Sequence, residues 1–295
     1  MTYKEFKNVI LDEVKELLDD GMDVIIQEVT KTNDLSLDGL TIVNEQSNIS
    51  PTIYLNQYYQ PFKKGDMSIS DIVEDIMKTY NQHKSNISID TKFFTDFDAV
   101  KGGIVYRIVN TEKNQKLLET TPHINFLDLS IIFFYIFNSQ DEGIATILIK
   151  NPHLEFWNTD VNTLYRFAKF NTPRIMGLHV QSMLDLAKEI TPDFVECKED
   201  IEIPLYIFTN NHKMHGACVI LYPEILKFFA EAIGSDLYIL PSSVHEVLIV
   251  PTACIDDDND LTEMVQEVNR TQVAPNEFLA DHAYFYNRAT DKITY

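Results

Sequence analysis

Apolar residues recur along this chain with two different periods, and the changes of period mark out its elements. Phe6, Val9, Ile10, Val14, Leu17 and Leu18 share one helical face, and Gly21 is expected to end that helix in a left-handed conformation. A strand follows over Val24 to Val29, then a polar turn at Thr32 to Asp34. Leu40 to Val43 and Thr52 to Leu55 form a hairpin connected through Asn48 to Pro51. The stripe Ile69, Ile72, Val73, Ile76, Met77 and Tyr80 predicts a second helix, with Ser68 or Ser70 as its cap. The theme recurs twice. Ser130 to Phe137 and Ile144 to Ile149 flank a turn at Gln140 to Gly143, with helical material over Leu154 to Phe170. Leu205 to Thr209 and Ala217 to Leu221 then flank a second polar turn, before a helix opened by Pro223 and closed by Gly234. Leu237 to Leu240 and Val247 to Val250 make a last strand pair.

Strands joined by hairpins and interleaved with helices predict an α+β fold with mixed, mostly antiparallel sheets and packed helices. Polar residues interrupt the pattern between Asn110 and His123. This places an expected boundary between an N-terminal domain, 1–118, and a C-terminal one, 119–295. Leu129 to Phe137, the most apolar stretch, is too short to span a bilayer, and Met1 to Asp20 lacks the pattern of a secretory signal.

Composition changes the picture through charge. The chain carries 45 acidic and 24 basic side chains, a net charge of -21 over 295 residues. A field of that sign repels nucleic acid and anionic membrane surfaces and favours a basic partner. Its 45% hydrophobic share, with 18 Phe and 14 Tyr, excludes an acidic disordered chain. Three separated cysteines give neither a disulfide framework nor a thiolate zinc site, and point to a reducing cytoplasm.

Four segments carry candidate chemistry. Ser242, Ser243, His245 and Glu246 place a nucleophile, a base and a carboxylate between two strands, so Ser243, His245 and Glu246 are the candidate catalytic set. The competing reading is a tight turn whose hydroxyls bond the backbone. Asp256, Asp258, Asp260 and Glu267 match positions one, three, five and twelve of a calcium loop. Leu261 stands where that loop needs glycine, and Asp260 with Glu263 suits a helix capping box instead. His212 and His215, with Cys218 three residues on, would clip a transition metal only on a helix, and the flanking strands argue for a turn. Tyr54, Tyr58, Tyr59, Lys63 and Lys64 form a basic aromatic island suited to contacts with a partner, set against a strand end whose tyrosines half-bury on the next helix. The glycine-rich phosphate loops are absent.

The blocks Asn48 to Tyr59, Tyr106 to Asn114, Asp236 to Pro251 and Val268 to Pro275 resemble an uncharacterised family of gut Firmicutes, the DUF5688 type. A looser similarity links the chain to the DUF1444 type. The resemblance implies carriage on mobile elements and brings no activity or cofactor. The functional expectation is therefore a non-enzymatic cytoplasmic interaction protein. Its acidic surface would engage a basic protein, with mimicry of nucleic acid as the narrower form, and no cofactor, nucleic acid or membrane is called for. The alternative is a small hydrolase-like enzyme using the Ser242 to Glu246 loop.

Overall fold

The computed structural model describes residues 1–44, 50–84, 92–138, 144–190, 204–241, 243–255 and 259–295. Two compact units emerge, Met1–Lys31 with Leu35–Phe93 and Thr32–Asp34 with Phe94–Tyr295. The first contains α1 (Tyr3–Glu16), β1 (Met22–Thr30), β2 (Ser36–Asn44), β3 (Thr52–Tyr54), α2 (Asn56–Lys64) and α3 (Ile69–His83). Capping boxes start α1 and α3: Thr2 with Glu5, and Ser68 with Asp71. The three strands form an antiparallel sheet in sequence order. Phe6, Ile10 and Val14 of α1 and Ile72, Val73 and Ile76 of α3 meet Val24, Leu40 and Ile42 in one core. The helical stripes and the period-two strands in the sequence are the two sides of that core.

Two details differ from the sequence pattern. Helix α1 stops at Glu16, and Gly21 takes its left-handed φ of 87° just before β1 instead. Residues 56–64, expected as a strand end, are helical. They contain no β-branched residue, and Gly65 at φ 82° closes the helix by donating to the Phe62 carbonyl.

After the short α4 (Lys92–Thr95) come α5 (Phe97–Val100), β4 (Ile104–Asn110), α6 (Gln115–Thr120), β5 (His123–Phe126), β6 (Leu129–Asn138) and β7 (Ala145–Leu148). Next are α7 (Asn151–Trp157), α8 (Val161–Met176), β8 (His179–Ser182), α9 (Met183–Ile190), β9 (Tyr206–Thr209) and α10 (Ile225–Ile233). The chain finishes with β10 (Leu237–Leu240), β11 (Val247–Pro251), α11 (Asn259–Thr271), β12 (Tyr284–Asn287) and β13 (Lys292–Thr294). One sheet sets β4 on one side of β6 and β5 and β7 on the other, and a second has the order β13-β12-β10-β11-β9-β8. All these pairings are antiparallel, so the fold is α+β. The stretch from Asn110 to His123 lies inside the second unit. It carries α6 and leads from β4 into β5, both of which pair with β6, β4 from Ile104 with Tyr135 to Asn110 with Leu129.

The segment 154–170, expected as one helix, is broken by Asn158 at φ 48°, and Asp160 caps α8 by accepting from the Thr163 amide at 2.7 Å. Residues 217–221, expected as a strand, form a buried 3₁₀ segment over Gly216–Leu221. Periodicity cannot separate these cases in a short apolar run. The partners of β9 are β11 and β8, and the Ala217 amide donates to the Val244 carbonyl at 3.2 Å. Pro223 lies outside α10, whose cap is Glu224. The expected turn at Gln140 to Gly143 lies outside the described residues, as do Ser242, Asp256 and Asp258. Among the described residues no helix is long and apolar enough to cross a membrane.

Candidate functional site

The loops that close β9 and join β10 to β11 bring Ser243, His245 and His215 together. Asn210, fully buried at the end of β9, folds the first loop around its side chain. Its Oδ1 accepts from the His212 amide at 3.0 Å and its Nδ2 donates to the Met214 carbonyl at 2.8 Å. Lys213 and His215 adopt left-handed φ angles of 53° and 52°, which doubles the chain back on itself. Gly216 then passes so close to its neighbours that a Cβ there would meet Thr209 Oγ1 and lie 2.6 Å from the His245 carbonyl oxygen. That carbonyl accepts from Thr209 Oγ1 at 2.7 Å and from the Gly216 amide at 2.9 Å.

The ring of His245 is equally committed. The His215 backbone amide donates to Nδ1 at 3.2 Å, which assigns the proton to Nε2, and Nε2 lies 3.4 Å from Glu277 Oε1. Ser243 Oγ accepts from the backbone amide of His245 at 3.0 Å, and the Ser243 amide donates to the Glu246 carbonyl at 3.4 Å. A serine nucleophile needs its base on the hydroxyl. Here the ring nitrogens of His245 engage the His215 amide and Glu277, and Ser243 Oγ meets a backbone amide rather than the ring. Glu277 is the partner that sequence reasoning missed, because it comes from 32 positions farther along the chain.

Behind this turn lies a buried polar group. The thiol of Cys218 is pushed up to about 12 by burial, and it donates to the His215 carbonyl at 3.3 Å. Burial also raises the phenols of Tyr106 and Tyr222, whose rings lie 6.4 Å apart and whose hydroxyls have no hydrogen-bond partner among the described residues. Arg107, lowered to about 10 by burial, stacks on Phe134 at 3.9 Å and donates to Thr146 Oγ1 at 3.2 Å. An arginine inside the apolar run Ile104 to Val109 was the sequence signal for this cluster.

A surface cleft of about 180 Å³ opens nearby in the chain, around the start of α10 and the β12–β13 hairpin. Ile220, Leu226 and Ile293 line it beside Tyr222 and Tyr286, and its charged members are Glu224, Lys227 and Asp291. The Tyr286 hydroxyl donates to Asp291 Oδ1 at 2.7 Å. Lys227 Nζ stands 3.6 Å from Glu224 Oε2. Burial raises the Tyr286 phenol first, then the Asp291 hydrogen bond and charge, then the charges of Glu224 and Glu231.

The remaining sequence candidates belong to other elements. Tyr58 is buried in the core of the first unit, its hydroxyl donating to Asp75 Oδ2 at 2.6 Å, and burial with that carboxylate pushes its phenol up to about 12. Tyr59 packs on Tyr3 and Phe6, and Lys63 lies over its ring at 5.9 Å. Lys31 lies 4.5 Å from the ring centre of Tyr54. Tyr58 and Tyr59 thus pack within the first unit, while Lys63 and Lys64 stay exposed in the last turn of α2, where cations suit the helix dipole. Glu267 lies on α11 and pairs with Arg270 one turn on. The side chain of Asp260 lies outside the described residues. Among those residues no three His, Cys, Asp or Glu side chains are grouped to hold a metal ion.

The model of a family described as Family of unknown function (DUF5688) matches residues 3–288. No curated protein and no solved structure matches the chain.

Proposed function

From its place in the DUF5688 family, to which the chain belongs and which has no assigned activity, we propose that this protein works by binding, presenting an acidic surface to a basic protein partner. The observation that carries this reading is the charge balance. Whatever pairs form, an excess of 21 carboxylates has no lysine or arginine of the chain to neutralise it. Ion pairs hold Asp23, Asp38, Asp98 and Asp236, and these stand at the surface or half-buried, where pairing contributes little. Such a field accelerates encounter with a cationic partner and repels polyanions. The hydrogen bonds that engage Ser243 and His245 favour binding over a hydrolytic role for that turn.

The test is the fluorescence anisotropy of labelled pentalysine and of a labelled DNA duplex, each at low and high salt. Binding of pentalysine that weakens with salt, with no binding of DNA, is the expected result. Equal indifference to both probes overturns the reading.

A further inference from the structure

The cleft beside α10 has the chemistry of an amphipathic cation's receptor. Its volume, about 180 Å³, is below the several hundred Å³ of pockets that hold drug-sized ligands and is on the order of one long side chain. Its apolar members suit an aliphatic stem, and its acidic members suit a charged head, the division that lysine and arginine side chains carry. We propose that the cleft lined by Tyr222, Glu224, Tyr286 and Asp291 takes a single lysine or arginine side chain from the basic partner. The inference rests on the binding role proposed above and adds the point of capture.

Electrostatics supports this direction. Three carboxylates, Asp291, Glu224 and Glu231, act on the Tyr286 phenol. Against them stand Lys227 and the positive end of α10, equivalent to roughly half a charge. The balance is negative. The ammonium of Lys227 sits loosely, 3.6 Å from Glu224 and half-exposed, so a guest cation can replace it at little cost. The faces of tyrosine rings attract cations as well, with Arg107 on Phe134 as an example of such stacking within this molecule. Tyr222, 4% exposed, forms part of the wall of the cleft, while its hydroxyl belongs to the buried group with Tyr106 and Cys218.

The test compares pentalysine affinity in three proteins. Glu224→Gln with Asp291→Asn removes two charges from the cleft. Asp19→Asn with Asp20→Asn removes two exposed charges from the first unit. Asparagine tolerates the left-handed φ of 53° at position 291 and can still accept from the Tyr286 hydroxyl, so the cleft variant keeps its fold, which its melting temperature checks. The expected result is a loss of about tenfold or more for the cleft variant against about twofold or less for the control. Equal losses, or none in the cleft variant while the unmodified protein binds, overturn the cleft and leave the acidic-surface reading standing. Failure of the unmodified protein to bind overturns both.

Discussion

The 243–246 turn and the cleft beside α10 make an instructive pair. The turn holds residues typical of catalysis, and the cleft holds an ordinary mixture of tyrosines, aliphatics and acids. Yet the His245 ring is engaged from within by His215 and Glu277, and Ser243 Oγ accepts from an amide of the same turn. In the cleft, two acids, Glu224 and Asp291, stand against one lysine beside an open apolar wall. Binding capacity follows unmet interactions rather than residue type.

The largest expected effect tests whether the turn is a structural lock. Gly216→Ala would drive a Cβ to 2.6 Å from the His245 carbonyl and 2.7 Å from the Asn210 amide nitrogen, both backbone atoms. A destabilisation of about 3 kcal/mol is expected, read by urea unfolding. A cost near zero would mean that the two loops are not held together as described.

Alkaline pH probes the wall between turn and cleft. The folded protein holds the Cys218 proton from the ordinary value of 9.0 up to about 12, whereas the unfolded chain releases it near 9.0. Stability from this burial is complete below pH 9 and is lost as pH rises through that window. One such group contributes up to about 1.4 kcal/mol per pH unit. Tyr106 and Tyr222, raised by burial from 10.0, add to the fall above pH 10. The urea midpoint should drop between pH 9 and 10, and Cys218→Ala should flatten that first part of the decline. An unchanged slope in the variant contradicts the assignment to Cys218.

The smallest effect belongs to the cleft. Lys227→Ala should change stability by less than about 0.5 kcal/mol, because its pair with Glu224 is loose and exposed. It should tighten pentalysine binding by about threefold, by removing a competing cation. Weaker binding would show that the local charge balance has been misjudged.

Much of the fold was legible because local signals agreed. The stripe from Ile69 to Tyr80 and the box of Ser68 with Asp71 both indicate α3, and Gly234 at φ 72° closes α10 as its position suggests. The 3₁₀ segment at 216–221 was not legible, since its apolar run fits a strand equally well and its backbone partners lie almost thirty residues away. The packing of Tyr58 and Tyr59 was hidden for a similar reason: aromatics suited to a partner are equally suited to the protein's own core.

By itself, then, the sequence determined the α+β class, several helical stripes with the end signals Ser68 and Gly234, and the charge excess. These depend on periodicity, local capping and simple composition, which act over a few residues or over none in particular. Tertiary structure decided which polar atoms are satisfied. Glu277 reaches His245, the His215 amide blocks Nδ1, and Asp291 joins Tyr286 and Glu224 around one cleft. The physical reason is that hydrogen bonds and ion pairs act over a few ångströms, and only the folded chain brings residues so distant in sequence within that range.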